Sequence, residues 1–123
     1  MCSSDLKAYV SLFSYLLQKL DSVVESNGTL LDNSISVLGS EYGGNNSDGD
    51  HHAGTDLPIL ISGGGGGFLK TNQILNAGGR SHTQMLGSLL EYFGLEDGSG
   101  NLSRDFGDRG RGFSFASLPG LKA

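Results

Sequence analysis

The sequence predicts an α/β domain, and three observations carry that prediction. Helical and extended segments alternate in the order helix, strand, long loop, strand, glycine loop, helix. The flanking helical segments repeat their apolar residues every three or four positions. The second strand candidate, Leu57 to Ser62, is a continuous apolar run of the kind that a parallel sheet buries on both faces.

The first helix is read from Tyr9, Phe13, Leu16, Leu17, Leu20, Val23 and Val24, which share one helical face. Ser26-Asn27-Gly28 is a left-handed stop for it near Glu25. Asp32-Asn33 reads as a turn, and Ser34 to Leu38 as a strand with Ile35 and Val37 on one face. Gly39 to His52 is a polar loop. Ser81 opens the second helix, with Gln84 completing a capping box. Met85, Leu86, Leu89, Leu90 and Phe93 form its apolar face, and Gly94 ends it. Beyond Glu96 there is little periodicity. The apolar faces Phe13/Leu17/Leu20 and Met85/Leu89/Phe93 are expected to leave the chain prone to aggregation.

Bulk numbers bound the function. The chain has 123 residues, enough for one small domain, but 21 are glycine and 37% are apolar, so the core is thin. Net charge is −5, which argues against a nucleic-acid surface; Arg104, Arg109 and Arg111 sit beside Asp105 and Asp108 and read as a solvated tail. The one cysteine, Cys2, allows no internal disulfide. No apolar run is long enough to cross a membrane. Met1 to Leu6 (MCSSDL) reads as an in-frame translation of a sequencing-adapter end, which sets 1–6 apart from the fold and implies that the natural chain continues upstream.

Two segments carry possible chemistry. The run Gly63 to Gly67 precedes Lys70-Thr71, but neither nucleotide fingerprint fits: Leu69 stands where the phosphate-loop motif needs glycine, and Phe68 or Leu69 takes the third glycine position of the dinucleotide motif. The run is read as a flexible strand exit. The loop after the first strand holds Glu41, Asp48, Asp50, His51 and His52. Carboxylates and imidazoles together suit zinc, manganese or iron-type ions, and ligands in open α/β sheets bind beyond the carboxyl ends of strands. Loops rich in Asn, Asp, Gly and Ser are also ordinary solvated turns. Adjacent histidines in extended chain point to opposite faces, so one of the two faces any given site.

GTLLDNSISVLGSEYG, then HH, DLPILISGGGGG, LKT and a later FGD together resemble the C-terminal part of domain-of-unknown-function family 1552, exported bacterial proteins related to family 1501 and similar to the alkaline phosphatase and sulfatase superfamily. HTQMLGSLLEYFGL resembles the superfamily helix before its closing turn. The likeness runs from about Leu17 to Gly107. It implies an incomplete sulfatase-like layered fold: 7–107 as the C-terminal portion of one domain and 108–123 as an irregular tail. It also implies an exported location, at the periplasm or cell surface.

Carried over residue by residue, Glu41 takes the acidic metal-site position and His52 the histidine position. His51 stands where the related family has aspartate, and GGNNSDGD, ending at Asp50, departs from the family order. The glycine run would let the backbone pass close to that site. The nucleophile and the remaining ligands would lie in the missing N-terminal half, the chain's first partner. The implied chemistry is metal-dependent hydrolysis of phosphate or sulfate esters, with the fragment inactive alone. The competing expectation is a non-enzymatic surface or interaction protein that keeps the fold.

Overall fold

The computed structural model describes residues 3–40, 43, 56–96, 98–101 and 116–123. Among them the fold is mixed α/β, with three helices and two small antiparallel sheets. Helix α1 spans Ser3–Asp21, strand β1 Val24–Glu25, β2 Gly28–Thr29, helix α2 Leu30–Asn33, β3 Ser36–Gly39, β4 Ile59–Ser62 and helix α3 His82–Tyr92.

Helix α1 stops at Asp21, earlier than expected. The Ser22 hydroxyl donates to Lys19 O at 2.8 Å, and the Val23 N–H reaches back only to Leu20 O. Val24 and Glu25 then pair with Thr29 and Gly28 as a hairpin. Ser26-Asn27-Gly28 is therefore a hairpin turn and not a helix stop, a correction with two causes. Val23-Val24 is β-branched and favours extended chain, and Gly28, at φ +99°, supplies the left-handed residue that such a turn needs. A side chain there would also strike the Asp32 carboxylate, 2.6 Å from the position of a Cβ.

Asp32-Asn33 is part of one helical turn. Thr29 caps it: the Asp32 N–H donates to Thr29 Oγ1 at 3.3 Å, and the Thr29 N–H donates to Asp32 Oδ2 at 2.8 Å. The Asn33 amide donates to Glu25 Oε2 (2.7 Å) and to Asn27 O (3.1 Å), which ties α2 back onto the hairpin. Within GTLLDNS, Gly28, Thr29, Asp32 and Asn33 thus each have a local structural role.

Strands β3 and β4 pair antiparallel, Ser36 with Ser62 through Gly39 with Ile59. The expected parallel arrangement is overturned. A parallel pair needs a crossover that returns the chain to the same end of the sheet. Here residues 40–58 connect adjacent ends, and the Ser40 N–H donates to Pro58 O at 3.4 Å. The apolar run of β4 still makes both faces apolar. Ile59 and Ile61 pack on the core with Ile35, whereas Leu60, on the other face opposite Leu38, is 52% exposed.

The core is small: Leu69, Met85, Leu118 and Leu121 are buried, with Ile35, Ile59, Ile61, Phe68, Ala77, Leu86 and Leu89 packed around them. Helix α3 supplies Met85. Its start is half as expected: Ser81 Oγ accepts from the Thr83 N–H, but Gln84 does not reach back, and its buried Oε1 has no hydrogen-bond partner. Its end is a Schellman cap, with the Gly94 N–H on Glu91 O and the Leu95 N–H on Leu90 O. Phe93 lies beyond that last turn and is exposed.

Residues 116–123 form no helix or strand, yet they supply Leu118 and Leu121 to the core. Ser88, fully buried on α3, accepts from the Leu118 N–H at 2.9 Å and donates to Gln84 O at 3.0 Å. The Lys70 N–H donates to Leu121 O, the Ala123 N–H donates to Phe68 O, and Lys122 pairs with Glu91.

Candidate functional site

The expected ligands Glu41, Asp50, His51 and His52 lie outside the described residues. What the described residues define is the base of the loop that carries them. The β3–β4 ladder continues to the Ser40–Pro58 hydrogen bond. Glu41 follows Ser40 directly, and His52 precedes Pro58 by six positions. Both therefore belong to one loop whose two ends meet at the same end of the sheet. Because the pairing is antiparallel, only β3 presents its carboxyl end there, so the strand-end rule for open parallel sheets applies to one strand alone. Two imidazoles and two carboxylates are a donor set that fits zinc or a similar divalent ion. Among the described residues no three His, Cys, Asp or Glu side chains converge as metal ligands.

The glycine run is not at that end. It follows Ser62, which pairs with Ser36 at the opposite end of the ladder, three residue steps away from the Gly39–Ile59 pair. At about 3.4 Å per residue the separation is on the order of 10 Å. The expectation that this run passes close to a Glu41/His52 site rests on residues outside the described ones; what is described is the distance from the run to the base of their loop.

Nor is the run a flexible exit. It folds into a compact turn against α2. The Gly65 N–H donates to Ser34 O (3.1 Å) and the Gly66 N–H to Asp32 O (2.9 Å), filling acceptors at the end of that helix. The Gly67, Phe68 and Leu69 N–H groups donate to carbonyls within the run itself. Gly63, Gly65, Gly66 and Gly67 all have positive φ. A Cβ on Gly63 would meet Ser34 O and lie 2.7 Å from Leu31 O. The glycines are there for close approach and left-handed backbone. All five consecutive amides from 65 to 69 are spent on protein carbonyls, so none is directed at a phosphate.

Between this turn, α2 and the β1–β2 hairpin runs an open groove of about 540 Å³, whose walls include Asn27, Asp32, Asn33, Ser62 and Thr71. Most of its polar groups are already engaged: the Asp32 carboxylate by Thr29, the Asn33 amide by Glu25 and Asn27, and Asn33 O by the Tyr92 hydroxyl at 3.1 Å. Sequence reading missed this groove because residues 27–33 and 62–71 meet only in the folded chain. Its chemistry is that of a scaffold, holding one end of the β3–β4 pair while the loop of Glu41 and His52 leaves the other.

No family model, no curated protein and no solved structure matches this chain.

Proposed function

We propose that this chain carries part of the metal site of an exported, sulfatase-like ester hydrolase, and that Glu41 and His52 are its ligands on the loop between β3 and β4. Asp50 and His51 immediately precede His52 in the chain and are the weaker candidates. One observation supports the reading above the others. The Ser40–Pro58 hydrogen bond closes the base of the loop whose sequence holds Glu41 and His52. Closing a loop in this way removes part of the entropy cost of bringing its ligands together.

A divalent ion bound there would supply Lewis-acid charge to a phosphate or sulfate ester oxygen. The chain's own contribution is to hold that ion at the carboxyl end of β3. The nucleophile belongs to polypeptide outside residues 1–123. The remainder of the layered fold would cover the apolar Leu38/Leu60 face of the sheet, which the described residues leave half open. A non-enzymatic surface protein is the second reading, favoured by the exposed apolar residues of α1.

The experiment is an assay of aryl phosphate and aryl sulfate hydrolysis with the open reading frame that carries this chain, in zinc- or manganese-containing buffer. The wild type is expected to hydrolyse one of the two ester classes. Glu41→Ala and His52→Ala are each expected to lose at least about a hundredfold, since even residues that merely orient metal ligands cost 10- to 100-fold. Activity equal in all three proteins would remove these residues from the site. No activity against either ester would leave the surface-protein reading.

A further inference from the structure

The turn Ser26-Asn27-Gly28 joins β1 to β2, strands of two residues each. Val24, Glu25, Ser26, Asn27 and Gly28 are all exposed. A hairpin this short is marginal by itself, so it opens locally while the rest of the fold stays closed. The Asn33 amide fastens it, donating to Glu25 Oε2 at 2.7 Å and to Asn27 O at 3.1 Å.

The Asn27 side chain is uncommitted. Among the described residues its backbone oxygen accepts from Asn33, while its side-chain amide meets no partner. The next residue is glycine, so no Cβ shields the Gly28 backbone nitrogen from that amide. Three other asparagines lack this combination. Asn33 precedes Ser34 and its amide is engaged; Asn76 precedes Ala77 and its Oδ1 accepts from the Gly78 N–H at 2.8 Å; Asn72 precedes Gln73.

We propose that Asn27 is a site of spontaneous modification by water, restrained by Asn33. When the turn opens, the Gly28 nitrogen loses its proton to solvent base and attacks Asn27 Cγ. A bond forms between that nitrogen and Cγ. The Cγ–Nδ2 bond breaks, and Nδ2 takes up a proton and leaves as ammonia. The resulting five-membered imide then consumes one water. Opening at Cγ gives aspartate; opening at the backbone carbonyl gives isoaspartate, with the main chain rerouted through the side-chain carbon. Asparagine's amide is chemically labile enough to need only water for this.

Either product brings a new carboxylate into a crowded corner. Asp21 and Asp32 already accept from the Thr29 hydroxyl, and Glu25 from Asn33. Like charges there repel. Isoaspartate also adds a carbon to the main chain, which draws Asn27 O away from Asn33. The modified protein is expected to melt about 4 °C lower, the loss of one ordinary hydrogen bond. The proposal is independent of the metal reading, since it uses none of the residues between β3 and β4.

The test is incubation of the protein of the whole open reading frame that carries this chain, in mildly acidic and mildly alkaline buffers made with heavy-oxygen water. Proteolysis and mass spectrometry then read each asparagine. The peptide with Asn27 is expected to yield two products, aspartyl and isoaspartyl, each carrying one heavy oxygen. They should form faster in alkali, because the Gly28 nitrogen must lose its proton. Asn72 and Asn76 are expected to keep their amides over the same period. Asn27→Gln is expected to give no product at this position, since its longer side chain would have to close a larger ring. Asn33→Ala is expected to speed conversion roughly fivefold, the gain in open turn on losing one ordinary hydrogen bond. An Asn27 that keeps its amide, or converts no faster than Asn72 and Asn76, overturns the proposal. Conversion at the wild-type rate in Asn33→Ala overturns the restraint by Asn33.

Discussion

Gly63→Ala is expected to cost about 3–5 kcal/mol, a left-handed-region penalty plus the strain of overpacking against backbone. Gly63 sits at φ +88°, and an added Cβ would press on Ser34 O and Leu31 O. Neither acceptor can rotate away as a side chain would. Both belong to the segment that ends α2 and leads to β3, so relief requires moving the helix end or the β3–β4 pair. Against a total stability of order 5–15 kcal/mol for ordinary domains, such a loss unfolds a large fraction of a chain with so small a core. Gly67→Ala is the internal control. Its φ of +95° imposes the same backbone penalty, but no atom lies within 4 Å of its Cβ, so it should cost only about 1–2 kcal/mol. Urea denaturation of the two variants beside wild type measures both terms. Equal midpoints for Gly63→Ala and Gly67→Ala would mean that the run does not dock against α2.

Removal of residues 118–123 is expected to have an effect of similar size. It deletes Leu118 and Leu121, two of the four buried apolar core residues, and exposes Met85 and Leu69. At about 1.5–3 kcal/mol for each fully buried leucine, the loss is of order 3–6 kcal/mol. It also leaves Ser88 Oγ and the Lys70 N–H without Leu118 N–H and Leu121 O as partners. The truncated chain should melt without a cooperative transition and bind a hydrophobic dye already at low temperature. A cooperative melt within a few degrees of wild type would show that the last six residues lie outside the core.

These two variants mark where sequence reading succeeded and where it could not. Helix α3 was legible because its signals are local: Ser81 before it, Gly94 after it, and Met85 and Leu89 one turn apart. Both strands were legible from their apolar content. Their direction was not, because pairing across the segment from 40 to 58 is a long-range choice that period-2 patterning does not encode. Ser26-Asn27-Gly28 is ambiguous by nature, since a left-handed glycine serves a helix end and a hairpin equally well; Asn33, six positions on, fastens the hairpin. The glycine run read as flexible because its ordering partners, Asp32 O and Ser34 O, are backbone groups with no sequence signature. Leu118 and Leu121 lack periodicity and were invisible as core.

At the candidate site the legible part was chemical. Glu41, Asp50, His51 and His52 announce a donor set by residue type. The structure adds the closed base of their loop and sets the glycine run at the opposite end of the β3–β4 ladder from that base.

The central claim is that this loop holds a metal ion. Its most direct test is metal content by mass spectrometry on the protein of the whole open reading frame that carries this chain, after zinc loading and exhaustive dialysis, wild type beside Glu41→Ala and His52→Ala. The account predicts about one zinc retained per wild-type chain and loss from both variants, as a site short of a ligand releases its ion. A wild type that dialyses metal-free, or variants that retain zinc as well as it does, would contradict the claim.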